Sequence, residues 1–339
     1  MTGLFILGNS IKQFFFAQLQ WFERNLLDSS LKTNDNRSPH GSYGGQFFSP
    51  ALTLGLLFVC FLTNCRTEII NPPSNLPTRE ITDDLGRTLK LPETVERAVS
   101  LAPNLTEIVF AVGAGDKLVG RTSYDTFPPE AQKIQTVGDT LNPNIENIIA
   151  LKPQVVLVST ASQIETFTKQ LESQNIAVFV TNPNSLDDIY KSISQIGAIF
   201  GTGEKAREIV AGLQKRVADV EANINKKDVK VFVQISKEPL FTIGKDSFIT
   251  DLIKRAGGIS VTANVATAYP KLSKETALAL NPDVIILSES DDNREPNDVF
   301  KNSPAARNGK VLRINAEIIS RPSPRIVDAL EQIARDLQK

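Results

Sequence analysis

The chain has 339 residues, 41% of them hydrophobic and 22% charged, which is enough for more than one globular core and is unlike a disordered protein. Its 37 basic and 38 acidic residues nearly cancel, and there is no long basic run, which argues against a nucleic-acid partner. Its two cysteines, Cys60 and Cys65, and its one histidine, His40, all precede the predicted globular part. That part therefore lacks the side chains of Ser-His and Cys-His catalytic pairs and of most zinc sites.

An apolar run of 13 residues, ALTLGLLFVCFLT at 51–63, precedes Cys65. It is shorter than the about 20 residues that a membrane-spanning helix needs, and it matches the hydrophobic region of a secretory signal. The sequence LTNC resembles a lipoprotein cleavage site, although Asn64 stands where a small residue is usual. We therefore predict a signal and lipoprotein segment at 1–65, lipidation of Cys65, and a periplasmic protein whose only membrane attachment is this lipid.

The alternative for this segment is a non-lipidated signal or a short membrane anchor. Residues 1–46 fit no ordinary signal, which favours a misassigned start codon. Residues 66–80 (RTEIINPPSNLPTRE) are rich in Pro, Asn and Ser and have no apolar period, which predicts a tether.

Globular sequence is predicted from Ile81, beginning with a hairpin and a strand at 98–101. Helices and continuous apolar strands then alternate, as in NIENIIALKP followed by QVVLVS. The first helix is predicted to start at Asn104, with Glu107 three residues later as in a capping box. The alternation predicts a parallel sheet flanked by helices in an N-terminal lobe, residues 81–202.

Residues 203–227 keep a helical spacing of apolar side chains with charges on the other face, which predicts one long connecting helix. The alternation of helices and strands then restarts, which predicts a C-terminal lobe at 228–339. The predicted fold class is α/β: two Rossmann-like α/β lobes are joined by one long backbone helix. A ligand cleft is expected between the lobes, where the strand ends face each other.

One helix-to-strand unit occurs twice in the chain. ENIIALKPQVVLV begins at Glu146, and ETALALNPDVIIL begins at Glu275, 129 residues later. The shared layout indicates equivalent helices in the two lobes. Taken by itself, the repeat is equally well explained by a common helix-to-strand joint, with a solvated glutamate that the helix dipole favours in the first turn.

The motifs of nucleotide chemistry are missing from the sequence, which has no Walker loop and no Gly-x-Gly-x-x-Gly turn after the first strand. We predict no catalytic residue, no metal site and no cofactor. A carboxylate-pair hydrolase is the enzymatic alternative. A third class is an adhesion or scaffold module with a cleft closed by side chains. The remaining hypothesis is a binding protein that captures a ligand in its cleft and delivers it.

Several separated segments carry a resemblance to a known family, among them RAVSLAPNLTEIVFAVGAGDKLVG, NIENIIALKPQVVLV, PLFTIGKDSF and SRPSPRIVDAL. From Ile81 to Leu337 the chain resembles the substrate-binding proteins of ABC importers for iron-siderophores, haem and cobalamin, and most of all those that bind cobalamin. In this family one backbone helix joins two α/β lobes. The resemblance implies an extracytoplasmic protein that delivers cobalamin or a related corrinoid to an ABC importer. A ferric siderophore or haem is the alternative ligand.

The resemblance also implies ligand-binding residues in the cleft. Tyr124 falls on a ligand-stacking tyrosine, Phe241 on a cleft phenylalanine, and Tyr269 on a position that is tryptophan in the cobalamin binder. Arg321 matches an arginine near the ligand, and Glu317 stands in place of an aspartate. Aromatic faces suit a broad, mostly apolar macrocycle. Core packing is the alternative for each aromatic, above all for Phe241.

Two departures bear on the ligand. Thr140 and Ser159 stand where the cobalamin binder has further cleft tryptophans, which implies weaker binding, a shifted pose or another ligand. Arg321 could equally hold an anionic siderophore or a haem propionate. Haem would also need an axial ligand, which a tyrosinate such as Tyr124 or Tyr269 would have to supply. Cobalamin needs no protein ligand, and this favours the corrinoid.

The resemblance gives the repeated glutamates a role. In the family, one surface glutamate of each lobe docks onto arginines of the transporter's membrane subunits, and the matching positions here are Glu146 and Glu275. Two symmetric membrane subunits need two equivalent acidic contacts. Close charge pairs in a desolvated interface reach coupling energies of about 1.5–7 kcal/mol, whereas an exposed pair contributes about 0–1 kcal/mol.

Overall fold

The computed structural model describes residues 77–160, 164–225 and 228–339. The predicted signal segment, the predicted lipidation site Cys65 and residues 66–76 of the predicted tether lie outside the described residues. Within the described ranges, no helix is both long and apolar enough to cross a membrane. The first strand begins at Thr78, so the last residues of the predicted tether belong to the folded part of the chain.

The N-terminal lobe begins with an antiparallel hairpin and continues with a parallel sheet in the order β4-β3-β5-β6. Its strands are β1 (Thr78–Thr82), β2 (Thr88–Pro92), β3 (Ala98–Ser100), β4 (Leu118–Gly120), β5 (Val155–Ser159) and β6 (Ala177–Thr181). Its helices are α1 (Pro103–Ala111), α2 (Ile145–Ala150), α3 (Ile164–Glu172) and α4 (Leu186–Ile199). The predicted alternation of helices and strands in this lobe is confirmed.

The C-terminal lobe contains a second parallel sheet, in the order β10-β9-β7-β8. Its strands are β7 (Val229–Gln234), β8 (Gly258–Ser260), β9 (Val284–Glu289) and β10 (Val311–Asn315). Its helices are α6 (Phe248–Arg255), α7 (Lys274–Leu280), α8 (Pro304–Arg307), α9 (Ala316–Ile319) and α10 (Ile326–Gln338). Read from the other edge, this sheet has the same topology as the first, with β7 in the place of β3 and β9 in the place of β5.

The repeated sequence unit folds in the same way in both lobes. In each copy the helix, α2 or α7, is followed by a residue with left-handed backbone, Lys152 or Asn281, and then by a proline. The left-handed residue ends the helix, and the proline cannot continue it. The chain then enters the central strand β5 or β9. The duplication predicted from sequence is therefore a duplication of structure.

The connecting helix, α5, spans Gly203–Ala222 and ends before the predicted boundary at residue 227. Its apolar stripe, Ala206, Leu213 and Val217, is buried. The stripe packs against α4 of the N-terminal lobe and α10 of the C-terminal lobe. On the C-terminal side Arg216 also pairs with Asp328 and Glu331 of α10, at 2.7 and 2.8 Å. One helix is thus bound to both lobes along its length.

The core follows from the alternation of side chains along the buried strands. On β5, Val155 and Leu157 face the central core, whereas Val156 and Val158 face a second cluster. Residues of β9 divide in the same way between the central core and a third cluster. The central core runs through both lobes. Burial of each aliphatic side chain in this core stabilises the folded protein by about 1.5–3 kcal/mol relative to an exposed side chain.

Candidate ligand-binding cleft

A groove lies between the two lobes at the carboxyl ends of the N-terminal strands β5 and β6. About 470 Å³ of empty space, part of it open to solvent, is bounded by side chains from both lobes. The N-terminal lobe provides Asn104, Ser159, Thr160, Thr181, Asn182, Pro183 and Asn184, and the C-terminal lobe provides Asp246, Phe248, Ala268, Tyr269, Ser320 and Pro322. Ligands of open α/β sheets bind beyond the carboxyl ends of the strands, so this groove is the candidate site.

Hydroxyl groups line the N-terminal wall of the groove. Ser159 and Thr181 end β5 and β6 and are paired in register across the sheet. Both side chains are buried, and their hydroxyl oxygens have no hydrogen-bond partner among the described residues. The same holds for Thr140, the second position at which the sequence departs from the cobalamin binder. At both positions where the cobalamin binder has a tryptophan, Thr140 and Ser159, this structure has a buried hydroxyl group.

Tyr269 borders the groove with 8% of its surface exposed, and its contact with a ligand stays a prediction. Burial raises the pKa of its phenol to about 12, against a hydrogen bond with Ser247 that lowers it. The backbone beside it approaches Gly244 closely: a Cβ atom there would lie 2.1 Å from the carbonyl oxygen of Thr267. Glycine at 244 therefore allows the loop that carries Tyr269 to pack against this segment.

Phe241 is buried, with 5% of its surface exposed, and belongs to the central core. Its backbone forms bridges with Ser236 and Lys271. It is not among the side chains that bound the groove described above. This position favours core packing, the alternative weighed for it, and its contact with a ligand stays a prediction.

Tyr124 belongs to a loop organised by the buried carboxylate of Asp125. That carboxylate accepts hydrogen bonds from the hydroxyls of Thr122 and Thr106 at 2.6 and 2.7 Å. Burial raises the pKa of Asp125 to about 6, although these hydrogen bonds act in the opposite direction. The carbonyl of Tyr124 accepts a hydrogen bond from Arg321 at 3.2 Å, so the loop reaches the C-terminal lobe.

Arg321 and Glu317 form an ion pair at 3.1 Å on the C-terminal side of the lobe boundary. Glu317 also accepts a hydrogen bond from Thr126 of the N-terminal lobe at 3.0 Å. Arg321 is only 8% exposed, and it donates to Glu107 and to the same Thr126. Both predicted residues therefore meet at the boundary beside the groove, where side chains of the other lobe already occupy them.

Sequence reasoning missed the residues that hold this boundary together. Glu107 was expected to cap a helix from Asn104, but α1 begins at Pro103, and its N-cap, Ala102, makes no side-chain bond. Instead the buried carboxylate of Glu107 accepts hydrogen bonds from Arg321 at 3.0 Å and from Ser323 at 2.6 Å, and pairs with Arg325. A carboxylate in an apolar helix stretch requires a partner, and this was the available signal.

A model of the periplasmic binding protein family matches residues 99–318. The chain belongs to this family. It is 31% identical over 267 residues to the uncharacterized ABC transporter substrate-binding lipoprotein YvrC of Bacillus subtilis, covering 76% of this chain and 84% of that protein.

Other members of the periplasmic binding protein family are similar over most of the chain. The vitamin B12-binding protein of Vibrio parahaemolyticus is 30% identical over 251 residues, covering 73% of this chain and 90% of that protein. The crystal structure of the periplasmic vitamin B12 binding protein BtuF of Vibrio cholerae superposes with a TM-score of 0.63 at 28% identity. The superposition covers 72% of this chain and 96% of the Vibrio cholerae protein. The predicted family and fold class are thereby confirmed.

In this periplasmic binding protein the two repeated glutamates are exposed, each at the second residue of its helix. The helix caps match as well: Asn144 accepts from the amide of Asn147 at 2.9 Å, and Ser273 from that of Thr276 at 3.1 Å. Hydrogen bonds from its own backbone and from Ser273 lower the pKa of Glu275. The structure thus presents Glu146 and Glu275 at equivalent positions on the two lobes.

Proposed function

We propose that this protein captures a corrinoid of the cobalamin type in the groove between its lobes and delivers it to an ABC importer without chemical turnover. The observation that carries the proposal is the chemistry of the groove: the rings of Tyr269 and Phe248, which are largely buried in the central core, border it, and the other side chains offer mainly hydroxyl and amide groups. A corrinoid has a broad apolar ring edged by amides, which these two kinds of group match.

The charges near the groove favour a ligand without carboxylates. The charged side chain in its wall is Asp246, which would repel an anionic siderophore or a haem propionate. Arg321, the cation that could pair with such a ligand, is bound to Glu107 and Glu317.

The relatives support the same substrate class. The match to the two proteins named as vitamin B12-binding covers most of the length of those proteins. The relative from Bacillus subtilis is named a lipoprotein, which supports delivery at a membrane.

Glu146 and Glu275 are proposed as the contacts with the importer's membrane subunits, and Cys65 as the lipid attachment site. The domain boundaries are proposed at 81–202, 203–227 and 228–339, with the connecting helix itself ending at Ala222.

Calorimetric titration tests the proposal directly. The full-length protein is titrated in turn with cyanocobalamin, a ferric siderophore and haem. We expect saturable binding of cyanocobalamin at micromolar concentration or below, with weaker or no binding of the other two. Saturation by a ferric chelate without corrinoid binding would change the assigned ligand to a ferric siderophore and would leave the proposed transport function in place. Failure of all three ligands to bind would contradict the proposed function.

A further inference from the structure

The boundary between the lobes depends on one buried carboxylate. Glu107, 3% exposed, is the N-terminal partner of two C-terminal arginines, Arg321 and Arg325. Arg321 also donates to the carbonyl of Tyr124, and the guanidinium of Arg325 lies 4.1 Å from the ring centre of Phe127. Both arginines thus contact the other lobe, and Arg321 also pairs with Glu317 of its own lobe. Separation of the lobes would break both ion pairs of Glu107 and its hydrogen bond from Ser323.

A second ionic contact joins the lobes through the helices. Arg255 of α6 pairs with Asp187 of α4 at 3.0 Å and with Glu221 of the connecting helix at 3.2 Å. The amide of Leu186 donates to Asp251 at 3.0 Å beside it. The side chain of Asp187 is 70% exposed, whereas that of Glu107 is 2% exposed. Exposed pairs are weak, so the contact at Glu107 is the stronger constraint.

We propose that Glu107 is a positioning residue that fixes the two lobes relative to each other. By holding Arg321 and Arg325 it sets the width of the groove and the separation of Glu146 from Glu275. That the separation of Glu146 from Glu275 matters for docking rests on the proposed function, whereas the role of Glu107 in fixing the lobes does not.

Distance measurement between spin labels tests this without any ligand. Labels are attached at Glu146→Cys and Glu275→Cys in full-length protein that carries Cys60→Ser and Cys65→Ser and is purified in detergent. Pulsed electron resonance then gives the distribution of distances between the docking positions. We expect one narrow distribution for the labelled parent and a broadened or shifted distribution after Glu107→Gln. The matched control, Glu96→Gln, removes an ion pair with Lys117 inside the N-terminal lobe and should leave the distances unchanged.

A folded Glu107→Gln variant with the parent's narrow distribution would overturn the proposal, even if its melting temperature were lower. If that variant does not fold, Arg325→Leu decides, because it leaves Glu107 paired with Arg321 and Ser323. Arg325→Leu is expected to broaden the distribution to a smaller extent, and an unchanged distribution would again overturn the proposal. Because no ligand is present, an error in the corrinoid assignment does not affect either result.

Discussion

Glu146 and Glu275 occupy the same position in two copies of one structural unit: each is the second residue of a short helix that leads through a left-handed residue and a proline into a central buried strand. Their helices are capped by equivalent side-chain bonds from Asn144 and Ser273. Both glutamates are exposed, so they remain accessible to a partner that has two equivalent cationic surfaces.

Replacement of both glutamates is expected to separate transport from ligand binding. Glu146→Ala combined with Glu275→Ala should abolish importer-dependent uptake while leaving the dissociation constant for the ligand unchanged. The physical reason is that both residues lie on helix surfaces outside the groove. Uptake by cells that express the importer, together with calorimetry on the purified variant, measures the two quantities.

Glu208→Ala serves as the control for the docking experiment, because Glu208 is an exposed glutamate of the connecting helix that pairs with Lys205 of the same helix at 2.9 Å. Importer-dependent uptake of the ligand with the Glu208→Ala variant should equal uptake with the unmodified protein. Normal uptake by the double variant, together with a lower thermal stability, would contradict the docking role and show that the glutamates act only at the helix ends.

Arg321→Met is expected to destabilise the protein by about 3 kcal/mol, at the lower end of the range for breaking a buried pair, because Glu107 keeps Arg325 and Ser323. The substitution removes the contacts of Arg321 with Tyr124 and Thr126 and leaves Glu317 without its cation. Urea denaturation of the ligand-free protein measures the change. A loss below about 0.5 kcal/mol, typical of a surface substitution, would mean that Arg321 is available for a ligand after all.

The buried carboxylate of Asp125 should make the stability depend on pH. Its pKa is about 6 in the folded protein against an ordinary value of 3.8, so the folded state holds the proton more tightly than the unfolded state. The corresponding stability is complete below about pH 4 and is lost as the pH rises through about 6, a total of about 3 kcal/mol. Asp125→Asn cannot ionise and removes this dependence.

The measurement for Asp125 is the free energy of unfolding of both proteins from pH 4 to pH 7. The difference between Asp125→Asn and the parent should move in favour of the variant by about 2.4 kcal/mol over this interval. Asp219→Asn, at an exposed site, is the control and should show no such trend. A difference that is independent of pH would contradict the predicted ionisation.

Much of the fold could be predicted because its signals are local. Continuous apolar strands, the repeated glutamate unit and the helical spacing after Gly203 each lie within a few turns of chain, and the structure confirms the elements they predicted. The end of the connecting helix was placed too late, because the apolar spacing continues to Ile224 although the helix ends at Ala222.

The polar lobe boundary could not be predicted in the same way. Glu107 lies 214 residues from Arg321 and 218 from Arg325, and no periodicity relates positions that far apart. In sequence its spacing from Asn104 fits a helix cap, which is a local and equally valid explanation. Only the packing of one lobe against the other brings the carboxylate to its arginines and gives Arg321, a predicted ligand contact, a contact between the lobes.

The most direct test of the central proposal is equilibrium dialysis of radiolabelled cyanocobalamin against the full-length protein and a Tyr269→Leu variant. Loss of the aromatic contact, about 1.5 kcal/mol, should weaken retention about tenfold. Phe232→Leu, which removes a ring from the core of the same lobe, is the control and should retain the parent's affinity. Equimolar retention by the parent and the control, with the expected loss at Tyr269, is the predicted result. No retention by the parent, or equal retention by all three proteins, would contradict the capture of a corrinoid in this groove.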